Sequence, residues 1–385
     1  MYQIKLERQN YKIILFLGFN FILCSASFLF AQTVPVIDVS KDYPKKTIVL
    51  QDIADVEYVA LETNNNVLVD GVFKIIHVSD NYIVISNPRP GDIFIFGRDG
   101  KIKYQFNHRG AGPMDYLNAM TLFFDEKNRE VFVVNRRSGL EVLVYAEDGK
   151  YKRTIKCPSD ILSIVEAYNF DDEHILIYDD YVYDGKFEKQ PYLLLSKKDG
   201  TVSSLNITLP QRFSTVTTTG TMYFFYLIEK NWRAGQDFII SDISCDTIFL
   251  LKPDKSITPL LKQTPSVHRT DPKIYLSSLL KTEQYMVLRR DKMTQGGGSK
   301  TTLLYDFSTG ETVEVGDTHF FSNADDRIGL HVIRPEASTP KNTLVFRLPA
   351  YRLHQYREYT KGELAKIAST IDPEDNPVLM IAKFR

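Results

Sequence analysis

The sequence predicts an all-β chain folded as a six-bladed β-propeller, with four antiparallel strands in each blade. A strand–turn–strand unit recurs about every 50 residues, marked by Gly100, Gly149, Gly200, Lys255 and Gly310 at steps of 49, 51, 55 and 55 residues. The turns are Asp-Gly or a close equivalent between apolar runs, a strong hairpin signal because tight turns need positive φ. Aromatics make up 12% of the chain, with 24 Phe and 22 Tyr against one Trp, and Phe and Tyr favour strands. Four short strands repeating at roughly 40–50 residues is the pattern of a propeller blade.

The 385 residues would allow two or three domains at roughly 100–200 residues each. Six blades instead consume the chain as one domain, read here as 47–385. Ahead of it, Lys5, Arg8 and Lys12 precede an apolar run over 13–30 and the small residue Ala31. These are the three parts of a secretory signal, so 1–31 reads as a signal peptide and 32–46 as a linker. An uncleaved anchor, or a lipid on Cys24 (preceded by Leu23), are the alternatives. Two cysteines then remain, Cys157 and Cys245; one disulfide between them is the alternative, and they are read as buried free thiols because a core of this size needs no disulfide staple.

Each visible blade has its strands in order. The first strands are 72–78, 120–124, 162–168, 221–227 and 274–280. The second are 82–86 (YIVIS), 131–135 (VFVVN), 174–178 (HILIY), 237–241 (DFIIS) and 285–289 (YMVLR). The third are 92–96, 141–145, 191–195, 246–251 and 301–305, and the fourth 101–106, 151–155, 201–207, 256–261 and 312–315. The sixth blade is assembled from both ends: 330–334, 343–348 (TLVFRL), 377–384 (PVLMIAKF) and, as its outer strand, 57–61 (EYVAL). This N-terminal strand closes the ring and removes the edges an open sheet would expose. A short helix over 361–370 precedes the final strand, and 47–50 reads as one more strand.

Four short motifs now stand out: Glu57–Thr63 (EYVALET), Phe73–Ile75, Arg109–Tyr116 (RGAGPMDY) and Asp375–Leu379 (DNPVL). Together they resemble the exported six-bladed β-propeller proteins of Gram-negative bacteria, a family similar to NHL-repeat propellers. The resemblance spans about 47–385. It implies export to the periplasm or outer-membrane surface, a propeller, and ligand or partner binding, with no catalytic residues to carry over. The family's G-x-GP-x-E-[YF] pattern departs here, with Asp115 in place of Glu and Met114 in place of the usual Gly.

The candidate site residues follow from this layout. Gly110, Gly112 and Pro113 fix an unusual backbone path between blades 1 and 2, leaving Arg109, Asp115 and Tyr116 as displayed groups. The bland alternative is a structural corner with Asp115 accepting backbone N–H groups. Arg136, Arg137, Asp179, Asp180, Asp242, Arg289 and Arg290 end the second strands of four blades, so they belong on one rim. Arg there suits bidentate carboxylate contact; solvated turns with weak ion pairs are the alternative. Trp232 is a candidate sugar platform or a core residue. The loops 214–220 (STVTTTG) and 294–300 (TQGGGSK) are insertions of the kind often found on binding faces.

Other chemistries lack support. His77, His108, His174, His268, His319, His331 and His354 are scattered singly, and no metal-ligand spacing is present. There is no G-x-S-x-G. No cofactor is expected. The formal charge of −1 argues against nucleic acid, which calls for a basic excess. The sequence therefore reads as a monomeric, non-catalytic binding or scaffold propeller for an envelope glycan, peptide or protein partner. Membrane contact is expected only through an uncleaved signal or a lipid anchor. The alternative is a propeller hydrolase or lyase with a channel active site, with or without a metal.

Overall fold

The turn between third and fourth strands explains why the chain recurs as it does. The structure, a computed structural model, describes residues 33–180, 190–207, 209, 211–212, 216–219, 222–225, 231–293, 298–315, 321–327, 340 and 342–385, with the backbone alone for 216–219, 222–225 and 231–234. Gly100, Gly149, Gly200, Lys255 and Gly310 all have positive φ, at 79°, 85°, 76°, 67° and 72°. One residue earlier, the Asp99, Asp148, Asp199 and Asp254 carboxylates accept the backbone N–H two residues on, at 2.9–3.1 Å. Such Asx turns satisfy the backbone locally. A Cβ at Gly100 would lie 2.2 Å from the Ala60 carbonyl oxygen, and one at Gly200 2.1 Å from that of Lys156. The turns of blades 1, 2 and 3 thus rest on the outer strand of the preceding blade, where only glycine fits.

Blade 1 comprises Lys74–Val78, Tyr82–Ser86, Ile93–Gly97 and Ile102–Phe106. Blade 2 comprises Leu122–Asp125, Glu130–Arg136, Leu140–Ala146 and Tyr151–Lys156. Blade 3 comprises Ile164–Asn169, His174–Asp179, Tyr192–Ser196 and Val202–Ser204. Blade 4 comprises Asn231–Ala234, Asp237–Ile240, Thr247–Leu251 and Ile257–Thr264. Blade 5 comprises Ile274–Lys281, Tyr285–Lys292, Ser299–Asp306 and Thr312–Val315. In blade 6, Thr343–Leu348, Val378–Phe384 and Ala54–Ala60 lie side by side.

Six blades form the ring that the sequence predicts, five with four described strands and the sixth with three, and its closure is the expected one. The last strand pairs with the N-terminal strand from Val378↔Ala60 to Phe384↔Ala54. The strand expected at 330–334 lies outside the described residues. Apolar faces of successive blades bury one another. Ile83 and Phe94 pack with Leu379 of blade 6, Val84 and Ile95 with Phe124 of blade 2, Phe132 with Ile177 of blade 3, and Leu194 with Phe238 of blade 4. Blades 4, 5 and 6 share one further core.

Three expectations change. The inner strand of blade 4 is Asn231–Ala234 and not 221–227; Val216–Thr219 and Met222–Phe225 form a separate hairpin. Residues 47–50 form no strand: Val49 makes an isolated bridge to Ser322, and a short helix, Leu50–Ile53, follows. The segment read as a linker contributes Val36–Asp38, parallel to the outer strand of blade 4, and Lys45–Lys46, parallel to that of blade 5. The C-terminal helix, Gly362–Thr370, is preceded by a second one, Ala350–Gln355.

The N-terminal segment is therefore a strap along the edges of blades 4 and 5 before it becomes the edge of blade 6. It buries Ile37 and Val39. The remaining edges are blunted differently. Blades 1 and 2 expose Lys103, Lys152 and Lys156 on their outer strands, and that of blade 3 is three residues long. Lysines and short strands discourage edge-to-edge pairing.

Candidate functional site

Strand register decides which residues are equivalent between blades. From the pairs Tyr82↔Gly97, Glu130↔Ala146, His174↔Ser196 and Tyr285↔Asp306, five residues further along the second strand lie Asn87, Asn135, Asp179 and Arg290. The same count in blade 4 reaches Asp242. In blades 1–3 this position is a buried clamp on the segment leading into the inner strand. Asn87 Oδ1 accepts Asp70 N–H at 2.9 Å, Asn135 Oδ1 accepts Leu117 N–H at 3.0 Å, and Asp179 Oδ1 accepts Ser163 N–H at 2.9 Å. Arg136 and Arg137 sit one and two residues beyond this ring, and Arg289 one before it. Arg289 and Arg290 lie inside their strand, which runs on to Lys292.

At Asp242 the pattern alters. This carboxylate is 2% exposed and accepts from the hydroxyls of Tyr178 at 2.9 Å and Tyr192 at 3.2 Å, both in blade 3, and from Ser244 N–H at 2.8 Å. Burial pushes both phenols well above the ordinary tyrosine range. Arg212 donates to the Tyr178 hydroxyl at 3.2 Å and to Asp180 at 3.0 Å. Asp242, Tyr178, Tyr192 and Arg212 thus form one buried polar seam between blades 3 and 4, with the half-buried Asp180 at its end. Arg290 serves the strap, donating to Lys41 O at 2.6 Å and lying 3.7 Å from Glu314. Arg289 pairs with Asp291 at 2.7 Å.

The blade 1–blade 2 junction gathers the other predicted residues. Asp115 Oδ2 accepts Gly112 N–H at 2.7 Å, and a Cβ at Gly110 or Gly112 would lie 2.3 or 2.8 Å from that oxygen. The carboxylate therefore nests on bare backbone. Tyr116 is fully buried and is not a displayed group. Its hydroxyl donates to Gly91 O at 2.6 Å and accepts His108 N–H at 3.0 Å, and its ring meets Tyr145 edge-on. Burial raises its pKa. Arg137 donates to the carbonyls of Ala111 at 2.8 Å and Asp115 at 3.1 Å, and Arg109 to that of Leu117 at 3.3 Å. Asp115, Arg109, Arg137 and Tyr145, whose hydroxyl donates to Met114 O, staple the backbone of this loop.

That stapled loop displays a distinct surface. The turn that carries Arg89 abuts it, since Ala119 N–H donates to Pro88 O at 3.1 Å. Lys74 Nζ donates to Met120 O at 2.9 Å. Arg89, Arg109, Arg136 and Arg137 are exposed, and neither they nor Lys74 has an acidic partner among the described residues. Between them stand Met114, Leu117 and Met120, at 52%, 44% and 46% exposure. Beside the loop lies an open cleft of about 260 Å³ on blade 1, between Asn66 and Asn107.

A family profile described as a domain of unknown function, DUF4934, matches residues 34–383. The chain belongs to the DUF4934 family. No curated protein matches it. Among solved structures it is similar to an exported-class protein of Bacteroides fragilis, with a TM-score of 0.63 at 15% identity over 91% of this chain and 99% of that one. It is also similar to a DUF4221-family member from Bacteroides vulgatus, with a TM-score of 0.52 at 9% identity over 87% and 99%. These identities show a shared fold. A virginiamycin B lyase from Staphylococcus aureus follows at a TM-score of 0.40 and 11% identity, over 85% and 99%, too distant to carry an inference about a reaction.

Other candidates separate from this corner. Trp232 occupies the inner strand of blade 4 opposite Ile239, and its side chain lies outside the described residues, as do 214–215, 220 and 294–297 of the two insertion loops. No metal-ligating group of three His, Cys, Asp or Glu occurs among the described residues. Cys157 and Cys245 are free thiols, and burial pushes Cys157 up to about 11. No helix among the described residues is long and apolar enough to cross a membrane. Sequence reasoning missed Arg89 and Arg212. Arg89, between Pro88 and Pro90, sits in a rigid turn facing the junction and could have been found from that flanking pair; Arg212 lies in an irregular stretch without any periodic signal.

Proposed function

We propose that this chain is an exported binding propeller whose recognition surface is the corner between blades 1 and 2, and that its partner presents anionic groups beside apolar or ring-shaped ones. One observation carries this reading: five cationic side chains without acidic partners among the described residues lie on or beside the segment that exposes Met114, Leu117 and Met120. Unpaired guanidinium groups suit carboxylate, sulfate or phosphate, and Arg and Met are enriched where proteins meet partners. The cations sit on stapled backbone, which limits the ordering entropy lost on binding. Export to the periplasm or outer surface is supported by the basic N-terminus followed by its apolar run, and by the exported designation of the Bacteroides fragilis neighbour. Kinship with NHL-repeat propellers rests on the four short motifs.

Thermal melting of residues 32–385 with acidic oligosaccharides, acidic peptides and neutral oligosaccharides tests this. A ligand at a hundred times its Kd adds about 2.7 kcal/mol, a shift of a few degrees. Anionic ligands are expected to stabilise the protein and salt to weaken the effect. Equal stabilisation by neutral ligands, or none by any anionic one, would contradict the proposal.

A further inference from the structure

We infer that the cleft beside this corner is a saccharide subsite that takes one neutral sugar ring of an acidic oligosaccharide, an inference that rests on the anionic-partner reading above. At about 260 Å³, the cleft falls below the roughly 300 Å³ lower bound for drug-sized ligands, which suits a single ring. Its polar groups are of two kinds. Asp92 is a fixed acceptor, since its carboxylate receives Asn107 Nδ2 at 2.8 Å and Asn87 Nδ2 at 3.2 Å. The side-chain amides of Asn66 and Gln105 are exposed and have no hydrogen-bond partner among the described residues.

Each free amide offers donors and an acceptor. A sugar hydroxyl both donates and accepts, so two amides and a held carboxylate match a run of ring hydroxyls. Phe94 and Phe106 supply apolar wall for the ring's C–H face.

The placement of charge separates the cleft from its surroundings. Asp92 repels a carboxylate, so the ring within the cleft is neutral. Asn107 joins the cleft to the cationic corner: its Oδ1 accepts Arg109 N–H at 2.8 Å and its Nδ2 donates to Pro90 O at 3.0 Å, next to Arg89. An acidic substituent on the adjoining ring would therefore meet Arg89 and Arg109. A peptide would instead place backbone against the outer edge of blade 1 and make little use of the two amides.

The test uses a hyaluronan tetrasaccharide, in which acidic and neutral rings alternate, with maltotetraose and a tetraglutamate peptide as comparisons, titrated calorimetrically against residues 32–385. The expected result is binding of the first alone, weakened about tenfold by Asn66→Ala with Gln105→Ala, the loss of one to two hydrogen bonds, and more strongly by Arg89→Ala with Arg109→Ala. Both pairs are exposed, and an unchanged melting temperature confirms folding. Loss in the arginine variant with none in the amide variant would overturn the subsite and leave the anionic surface standing. Binding of tetraglutamate alone would do the same. Equal binding of maltotetraose, or no binding of either anionic probe, would overturn the inference, and the second outcome would count against the wider proposal too.

Discussion

Lys255 shows how far a single residue can be read. It is the one non-glycine among the five turn residues of positive φ, and its place in the register was legible because the spacing holds on either side of it. A left-handed backbone costs an L residue roughly 1–2 kcal/mol, partly offset by glycine's greater unfolded-state entropy. Lys255→Gly is expected to raise stability by about 0.5–1 kcal/mol in urea unfolding. Asp242 was also visible as a charge at a strand end, but its role was not. Sequence spacing shows that strand ends share a rim; it cannot show that Tyr178 and Tyr192 of the preceding blade turn their hydroxyls onto one carboxylate. Asp242→Ala removes a buried acceptor shared by two phenols, with an expected loss of about 2–4 kcal/mol. Asp242→Asn, which keeps an acceptor oxygen, should lose less.

Among elements, the hairpin at 125–130 of blade 2 holds three carboxylates below their ordinary range. The His77 hydrogen bond brings Glu126 down to about 2, against the push of burial. For Asp125, burial raises the pKa but Lys197 and Asn128 outweigh it, and for Glu130 Arg153 and Lys152 do the same. A depressed folded pKa gives stability that is complete above the unfolded value and lost as pH falls through the folded one. Stability should therefore fall from about pH 4.5 towards pH 2. Glu126→Gln should remove about 1–2 kcal/mol of that slope after allowance for solvent screening, which chemical denaturation at several pH values would show.

The strap is the element the sequence concealed. Its parallel strands pair two or three residues and carry no periodic signal, so they read as linker. The inner strand of blade 4 was obscured for another reason. The aromatic run at 222–225 is a better strand former than Asn231–Ala234, and tertiary pairing overrode propensity. Burial of Ile37 and Val39 at about 1.5–3 kcal/mol each leads to the expectation that deleting residues 33–46 costs roughly 3–6 kcal/mol. It should also expose two apolar blade edges and raise self-association in light scattering. An unchanged melting temperature would count against the strap as an edge seal.

In the whole molecule, six blades bury their faces in sequence and the N-terminal strand locks the last to the first. This was legible because each level of pattern agreed: period, turn chemistry and strand composition. The binding surface was legible only in part. Arg109, Arg136 and Arg137 were candidates, but Arg89, Lys74 and the exposed methionines joined them through packing between blades. The central claim is that the corner of blades 1 and 2 holds an anionic partner. Its most direct test is one titration of an acidic oligosaccharide against wild type, Arg89→Glu with Arg136→Glu, and a control reversal on the C-terminal helix, Lys366→Glu. The account expects binding by wild type and the control, and its loss in the corner variant. Equal affinity of all three proteins would contradict it.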